Sequence, residues 1–308
     1  MSVAVTAFNQ IVIMSFIIIV GMICYKIRLI DQEMNRKLSD LILMLVNPIL
    51  IFSSYQRKFE ASLLTGLLIS LVLALATHII AIILAGIVLR GKKHKEELPI
   101  ERFAVIYSNC GFIGIPFVNG IFHSEGVFYL TAYLTIFNLV LWTHGMITMS
   151  GKSDRKSILK AIMSPAVIAT FTGFLFFILK IILPDMLNKS ITYISDMNTP
   201  LAMLVAGVTI AQTDLKKIFG NIRIYYVTFY KLIVLPILML FLFSLFPIQK
   251  TVLLTSIIAC ACPAAVTINL FSIRFGKNYL YASELFAVTT ILSLFTIPVV
   301  MLFANLIV

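Results

Sequence analysis

Asn109-Cys110-Gly111-Phe112-Ile113-Gly114-Ile115-Pro116 interrupts one long apolar stretch of the chain, and Cys260-Ala261-Cys262-Pro263-Ala264-Ala265 interrupts another at a matching place. Helix-breaking residues free backbone N–H and C=O groups, which hydrocarbon cannot satisfy. Such breaks survive inside a membrane only where protein or a watered cavity covers them. One break in each half of the chain points to a binding site for a transported solute.

The surrounding composition fixes the solvent. Sixty per cent of the 308 residues are hydrophobic and 12% are charged, and the mean hydropathy is +1.04, values that no water-soluble domain of this length carries. Apolar runs long enough to cross roughly 30 Å of hydrocarbon fall near 8–25, 36–55, 62–89, 102–122, 126–149, 157–183, 190–212, 223–246, 251–272 and 280–305. That makes ten expected spans and leaves only short connectors outside the lipid.

The net charge of +11 is not a nucleic-acid signature, because of where the charge sits. Most Lys and Arg fall in alternate loops: Lys26, Arg28, Arg36 and Lys37; Arg90, Lys92, Lys93, Lys95 and Arg102; Lys152, Arg155, Lys156 and Lys160; Lys216, Lys217 and Arg223; Arg274 and Lys277. By the positive-inside rule these loops are cytoplasmic and both termini face outward, as in a multi-pass protein of the cell membrane. The first ten residues carry no Lys or Arg, which argues against a cleaved signal peptide. Cys24, Cys110, Cys260 and Cys262 lie in or beside apolar spans without metal-ligand spacing and read as small packing residues.

A shift of 152 places Gly21 on Gly173, Pro48 on Pro200 and Cys110 on Cys262, and lays the first break over Ala261–Ile268. Five spans then fall in each half, 1–150 and 151–308. Five is odd, so the second half enters the membrane from the opposite side. The expected fold is all-α: two inverted five-span repeats whose fourth and ninth spans are broken and cross.

The segment Asn109–Pro116, the later Leu141-Trp-Thr-His-Gly145, the run Thr199-Pro-Leu-Ala-Met-Leu-Val-Ala-Gly207 and the stretch from Pro263 to Pro298 resemble the auxin efflux carrier family, including its bacterial malate and malonate permeases. The resemblance covers nearly the whole chain. It implies a scaffold of spans 1, 2, 6 and 7 and a mobile transport domain of spans 3–5 and 8–10, with a substrate anion bound beside the crossing. It also suggests a homodimer. The plant carriers' large cytoplasmic loop is missing, so regulation through that loop is not carried over.

Elementary physics supplies the candidate site. Pro116 and Pro263 are expected to open the second half-helices, since proline at a helix start gives up a donor that has no partner there. Each start exposes N–H groups and a positive dipole end, worth up to about 2 kcal/mol to a partly buried anion. The two half-helix C-termini meet at the same crossing and favour a cation, so dipoles alone leave the sign of the substrate open. Asn109 can donate to a carboxylate or satisfy the loosened backbone beside it. Cys110 and Ala264 lie inside the breaks, and Gly111 and Gly114 allow either close backbone approach or tight helix packing. Thr267 and Asn269 are the nearest polar side chains after Pro263, and Asn47 precedes a kink at Pro48 that shapes the scaffold wall, with substrate contact from Asn47 the alternative.

Lys231 lies eight residues past Arg223, where a membrane charge costs about 2.5–3.5 kcal/mol if central. It either snorkels back to the cytoplasmic face or supplies positive charge to the transport domain, near the anion or as a proton-linked switch. His78 and His144 read as hydrogen-bonded packing residues, and Glu101 and Glu284 as span-end groups reaching water or a basic neighbour. A cation/proton antiporter would want a mid-membrane acid, and the Asp and Glu lie in loops or near span ends. No nucleophile with its base, H-E-x-x-H motif or paired membrane aspartates indicates an enzyme. The expectation is a secondary carrier of small organic anions of the malate or malonate type, working by elevator-like movement. An anion channel and a uniporter for another carboxylate are the alternatives. No cofactor or nucleic acid is expected, and coupling to protons, sodium or neither is left open.

Overall fold

The structure, a computed structural model, describes residues 3–90, 96–151, 163–212 and 221–308. The basic-loop residues Lys92, Lys93, Lys95, Lys152, Arg155, Lys156, Lys160, Lys216 and Lys217 lie outside them, as does the beginning of the sixth expected span. Among the described residues the regular structure is helical: α1 (Val3–Lys26), α2 (Gln32–Leu41), α3 (Asn47–Ser54), α4 (Ala61–Val88), α5 (Leu98–Ile106), α6 (Ile115–Val140), α7 (Met146–Ser150), α8 (Pro165–Ile178), α9 (Asp185–Asp196), α10 (Asn198–Ala211), α11 (Ile222–Phe229), α12 (Leu235–Ser244), α13 (Lys250–Ala261), α14 (Thr267–Arg274) and α15 (Tyr279–Ile307).

Among the described residues, seven helical stretches are long and apolar enough to cross a membrane, fewer than the ten runs read from the sequence. The difference arises where helices are broken, short or fused. Pro165–Ile178 and Lys250–Ala261 fall below spanning length by themselves, while Cys110–Ser150 runs for 41 residues. That long stretch is not one straight rod. His123 takes φ 52° and ψ −150°, and a Cβ on Gly126 would stand 2.7 Å from Val118 Cγ1. Eight residues of straight helix would separate those positions by about 12 Å, so the chain doubles back at His123, between the fourth and fifth expected spans. Backbone of this kind is nearly confined to glycine and costs other residues about 1–3 kcal/mol. His123→Gly is therefore expected to raise the melting temperature of the purified protein, the strain relieved exceeding the roughly 0.5–1 kcal/mol of added chain entropy.

Among the described residues, four wide π-turns interrupt the helices, at Ile42–Val46, Cys110–Gly114, Leu141–Gly145 and Tyr230–Val234. Three end two residues before a proline: Pro48, Pro116 and Pro236. A proline has no N–H for the preceding turn and its ring presses on the carbonyl four residues back, and the wider turn moves that carbonyl away. The fourth has another cause. Tyr107 inserts its hydroxyl, donating to Val140 O at 3.2 Å and meeting His144 Nδ1 at 2.8 Å.

Helices α1 to α3 and α8 to α10 pack on one another, as do α4 to α7 with α11 to α15. In the first set, α1 and α10 touch backbone to backbone. A Cβ on Gly207 would collide with the Ile18 carbonyl, and one on Gly21 with the main chain of Leu204. Tyr55 covers Gly173 of α8, its Cδ2 2.7 Å from where a Cβ would stand. The two sets meet mainly where α1, α3 and α8 face α6 and α1 faces α15, and buried Tyr55 joins them through its hydroxyl, 2.5 Å from Thr131 Oγ1. Phe8, Ile13, Phe16, Ile19 and Ile23 of α1 and Val72, Ile79, Ile83 and Ile87 of α4 are exposed, which water would penalise and lipid tails accept. This is a multi-pass membrane protein.

Candidate functional site

Helix α5 ends at Ile106 and α13 at Ala261, and the extended segments that follow lie antiparallel, with Ser108 opposite Ala264. Two main-chain bonds join them: Asn109 N–H to Pro263 O at 2.7 Å, and Ala265 N–H to Tyr107 O at 2.9 Å. Ala264 N–H turns aside to Thr289 Oγ1 at 3.2 Å. The broken helices thus cover each other's freed backbone, which is what membrane burial demands. Neither proline opens its half-helix. The first resumes at Cys110, six residues ahead of Pro116, and the second at Thr267, four after Pro263. The cause is local: Pro116 follows the π-turn it requires, and Pro263 lies in the extended strip, where its carbonyl is the acceptor for Asn109.

On one side of the crossing the half-helix C-termini converge. Asn109 N–H has gone to Pro263 and Ala264 N–H to Thr289, so Val105 O and Cys260 O lose the helical donors four residues on. Lys231 fills this place. Its ammonium, on a fully buried side chain, donates to Val105 O at 3.3 Å and to Ser108 Oγ at 2.5 Å, while Ser108 Oγ donates to Cys260 O at 3.2 Å. The snorkelling alternative is thereby excluded: the side chain points into the crossing.

On the other side lie the half-helix N-termini. Asn109 O accepts the first helical bonds, from Ile113 at 3.0 Å and Gly114 at 3.2 Å, which leaves Cys110, Gly111 and Phe112 as the donors ahead of them. Asn109 is 5% exposed, and its side-chain amide makes no hydrogen bond among the described residues. The amide thus keeps its hydrogen-bonding capacity at this half-helix start. At the second N-terminus Thr267 Oγ1 is likewise buried without a partner. The space beside Gly111 is open, with Asn47 Nδ2 and Leu134 Cδ2 each 4.0 Å from a built Cβ, whereas Gly114 lets the chains pass closely, 3.2 Å from Cys262 Sγ.

The remaining candidates take supporting places. Asn47 donates to Gly111 O at 3.4 Å and accepts from Asn198 Nδ2, tying the wall of α3 and α10 to the crossing. Asn269 Oδ1 accepts from Ser283 at 3.3 Å, a contact with α15. Pro116 O meets Gln10 Nε2 of α1 at 3.4 Å. Cys110, Cys262 and Ala264 are buried. His78 Nδ1 meets Ala74 O at 2.8 Å.

Several participants escaped sequence reasoning. Ser108, Tyr107, Thr289 and Asn198 are ordinary polar residues in spans, and only their partners, distant in the chain, give them roles. Of the two expectations for Glu101, water or a basic neighbour, the structure shows the second, with the carboxylate fully buried. Arg223 grips its carboxylate at 2.8 and 2.7 Å, and Tyr281 donates to it at 3.0 Å. The cluster ties α5, α11 and α15 together.

The sequence matches the family described as "Membrane transport protein" over residues 6–301. The chain belongs to this family. The auxin efflux carrier resemblance is thus a family membership. This membrane transport protein is 26% identical over 284 residues to a protein of Rhizobium meliloti (strain 1021) named "Putative malonate transporter", the match covering 88% of each chain.

Proposed function

We propose that this membrane transport protein is a secondary carrier of small organic anions, with malonate-type and malate-type dicarboxylates as its substrate class, and that it works by elevator-like alternating access. The observation that carries the reading is the open Asn109 amide at a buried half-helix N-terminus, facing the same crossing as the unpartnered Thr267 hydroxyl. Amide donors, a hydroxyl and two positive dipole ends suit a carboxylate. The relative's name supports a dicarboxylate. Cys110, Gly111, Ala264 and the two prolines shape the pocket, with Asn47 at its wall.

In this reading the chain is an inverted repeat of ten spans with both termini outside the cell membrane. Helices α4 to α7 and α11 to α15 carry the anion past a scaffold of α1 to α3 and α8 to α10, in which two copies can pair. A moving site needs its backbone satisfied within the moving part, and the bonds between Tyr107–Asn109 and Pro263–Ala265 meet that need.

Uptake of labelled malonate, malate and monocarboxylates into proteoliposomes tests the reading. Wild-type protein should accumulate dicarboxylate at carrier-like turnover. Asn109→Ala should lower uptake at limiting substrate about tenfold or more, since a hydrogen bond to a charged group contributes roughly 1.5–3 kcal/mol. Unchanged affinity and flux in this variant would remove Asn109 from the site, and flux thousands of times faster would indicate a channel.

A further inference from the structure

We infer that the converging half-helix C-termini form a monovalent-cation site permanently filled by the chain's own Lys231 ammonium, so that anion transport runs without sodium. The inference extends the carrier reading in its uptake arm and stands apart from it in its stability arm.

The argument is an accounting of carbonyls. A broken helix ends in oxygens carrying the negative end of its dipole, and in lipid these must find a donor or a cation. Here the donors that a continuous helix would send to Val105 O and Cys260 O are engaged elsewhere, on Pro263 O and Thr289 Oγ1. Both oxygens are buried in fully covered residues. One is met directly by Lys231 Nζ, and the other through Ser108, whose hydroxyl accepts from Lys231 and donates to Cys260. Oxygen ligands converging from two helix ends are what a small hard cation takes. The ammonium satisfies the same demand on a tether that cannot leave. Among the described residues Lys231 forms no salt bridge, so its charge answers the carbonyls and dipoles rather than a carboxylate. Its element, the π-turn Tyr230–Val234, widens the helix one turn before Pro236.

Deleting the ammonium should therefore create a vacancy that a free cation can enter. The experiment is thermal unfolding of purified protein in choline chloride with increasing sodium chloride at constant ionic strength, for wild type, Lys231→Ala and Lys231→Met. Wild type should melt at one temperature throughout. Lys231→Ala should melt lower in choline and gain a saturable upward shift with sodium. Lys231→Met, which fills the volume without charge, should melt lower and stay insensitive. A sodium-dependent shift in wild type, or a Lys231→Ala protein that sodium stabilises no more than choline does, overturns the proposal. Should neither variant accumulate, wild-type uptake decides: equal flux in sodium and choline supports the filled site, and flux that requires sodium refutes it. No uptake of any carboxylate, with the stability pattern intact, would count against the substrate reading alone.

Discussion

Arg223→Met is expected to destabilise the protein by about 3–5 kcal/mol, the usual result of removing one partner from a buried ion pair. The substitution leaves the Glu101 carboxylate, which has no exposed surface, holding only the Tyr281 hydroxyl. Methionine keeps most of the side-chain volume, so the loss reports the stranded charge rather than a cavity. Glu101→Gln, which removes the charge but can keep two hydrogen bonds, should cost clearly less. Melting of the detergent-solubilised protein, followed by the fraction remaining monodisperse after heating, measures both. Equal melting of Arg223→Met and wild type would mean that the three helix ends are held by packing alone.

Gly207→Leu should have an effect of similar size through pure geometry. No side-chain adjustment can relieve it, because the obstacle is the main chain of α1 at Ile18. Overpacking a well-filled core costs typically about 1–3 kcal/mol, and occasionally more. Here the two backbones must separate, which also opens the contact at Gly21 against Leu204. Gly86→Leu is the control, since nothing lies within 4 Å of a Cβ there. The expected result is loss of the monodisperse peak for Gly207→Leu and its retention for Gly86→Leu. A stable Gly207→Leu protein would show that α1 and α10 can slide on each other.

The membrane character and the two interruptions were legible because they rest on local chemistry. Glycine, proline and a lone asparagine in an apolar run have few meanings in lipid. The helix starts were misplaced because the rule for proline assumes it stands first. At Pro116 a wide turn precedes it, and a π-turn has no signature in residue types. The direction of Lys231 was illegible for a different reason. Its distance from the span end suits both an outward and an inward reach, and the acceptors that decide, Val105 and Ser108, are more than a hundred residues away in the chain. The same holds for Glu101 and Arg223, each of which looks like an ordinary span-end charge until the fold brings them together. The ten apolar runs correspond to seven long helical stretches among the described residues because Pro165–Ile178 is short, Lys250–Ala261 stops at its break, and Cys110–Ser150 holds two runs joined through His123.

The strip that joins Tyr107–Asn109 to Pro263–Ala265 also constrains how the protein is made. The two partners are separated by roughly 150 residues, and at a ribosome's pace of about 5–20 residues per second the first waits on the order of ten seconds for the second. During that interval its bare amide and carbonyl groups must be sheltered by the translocon, by water or by an insertase, because the bilayer offers them nothing. The strip is therefore a late event in biogenesis, closed only once Pro263–Ala265 has been made and inserted.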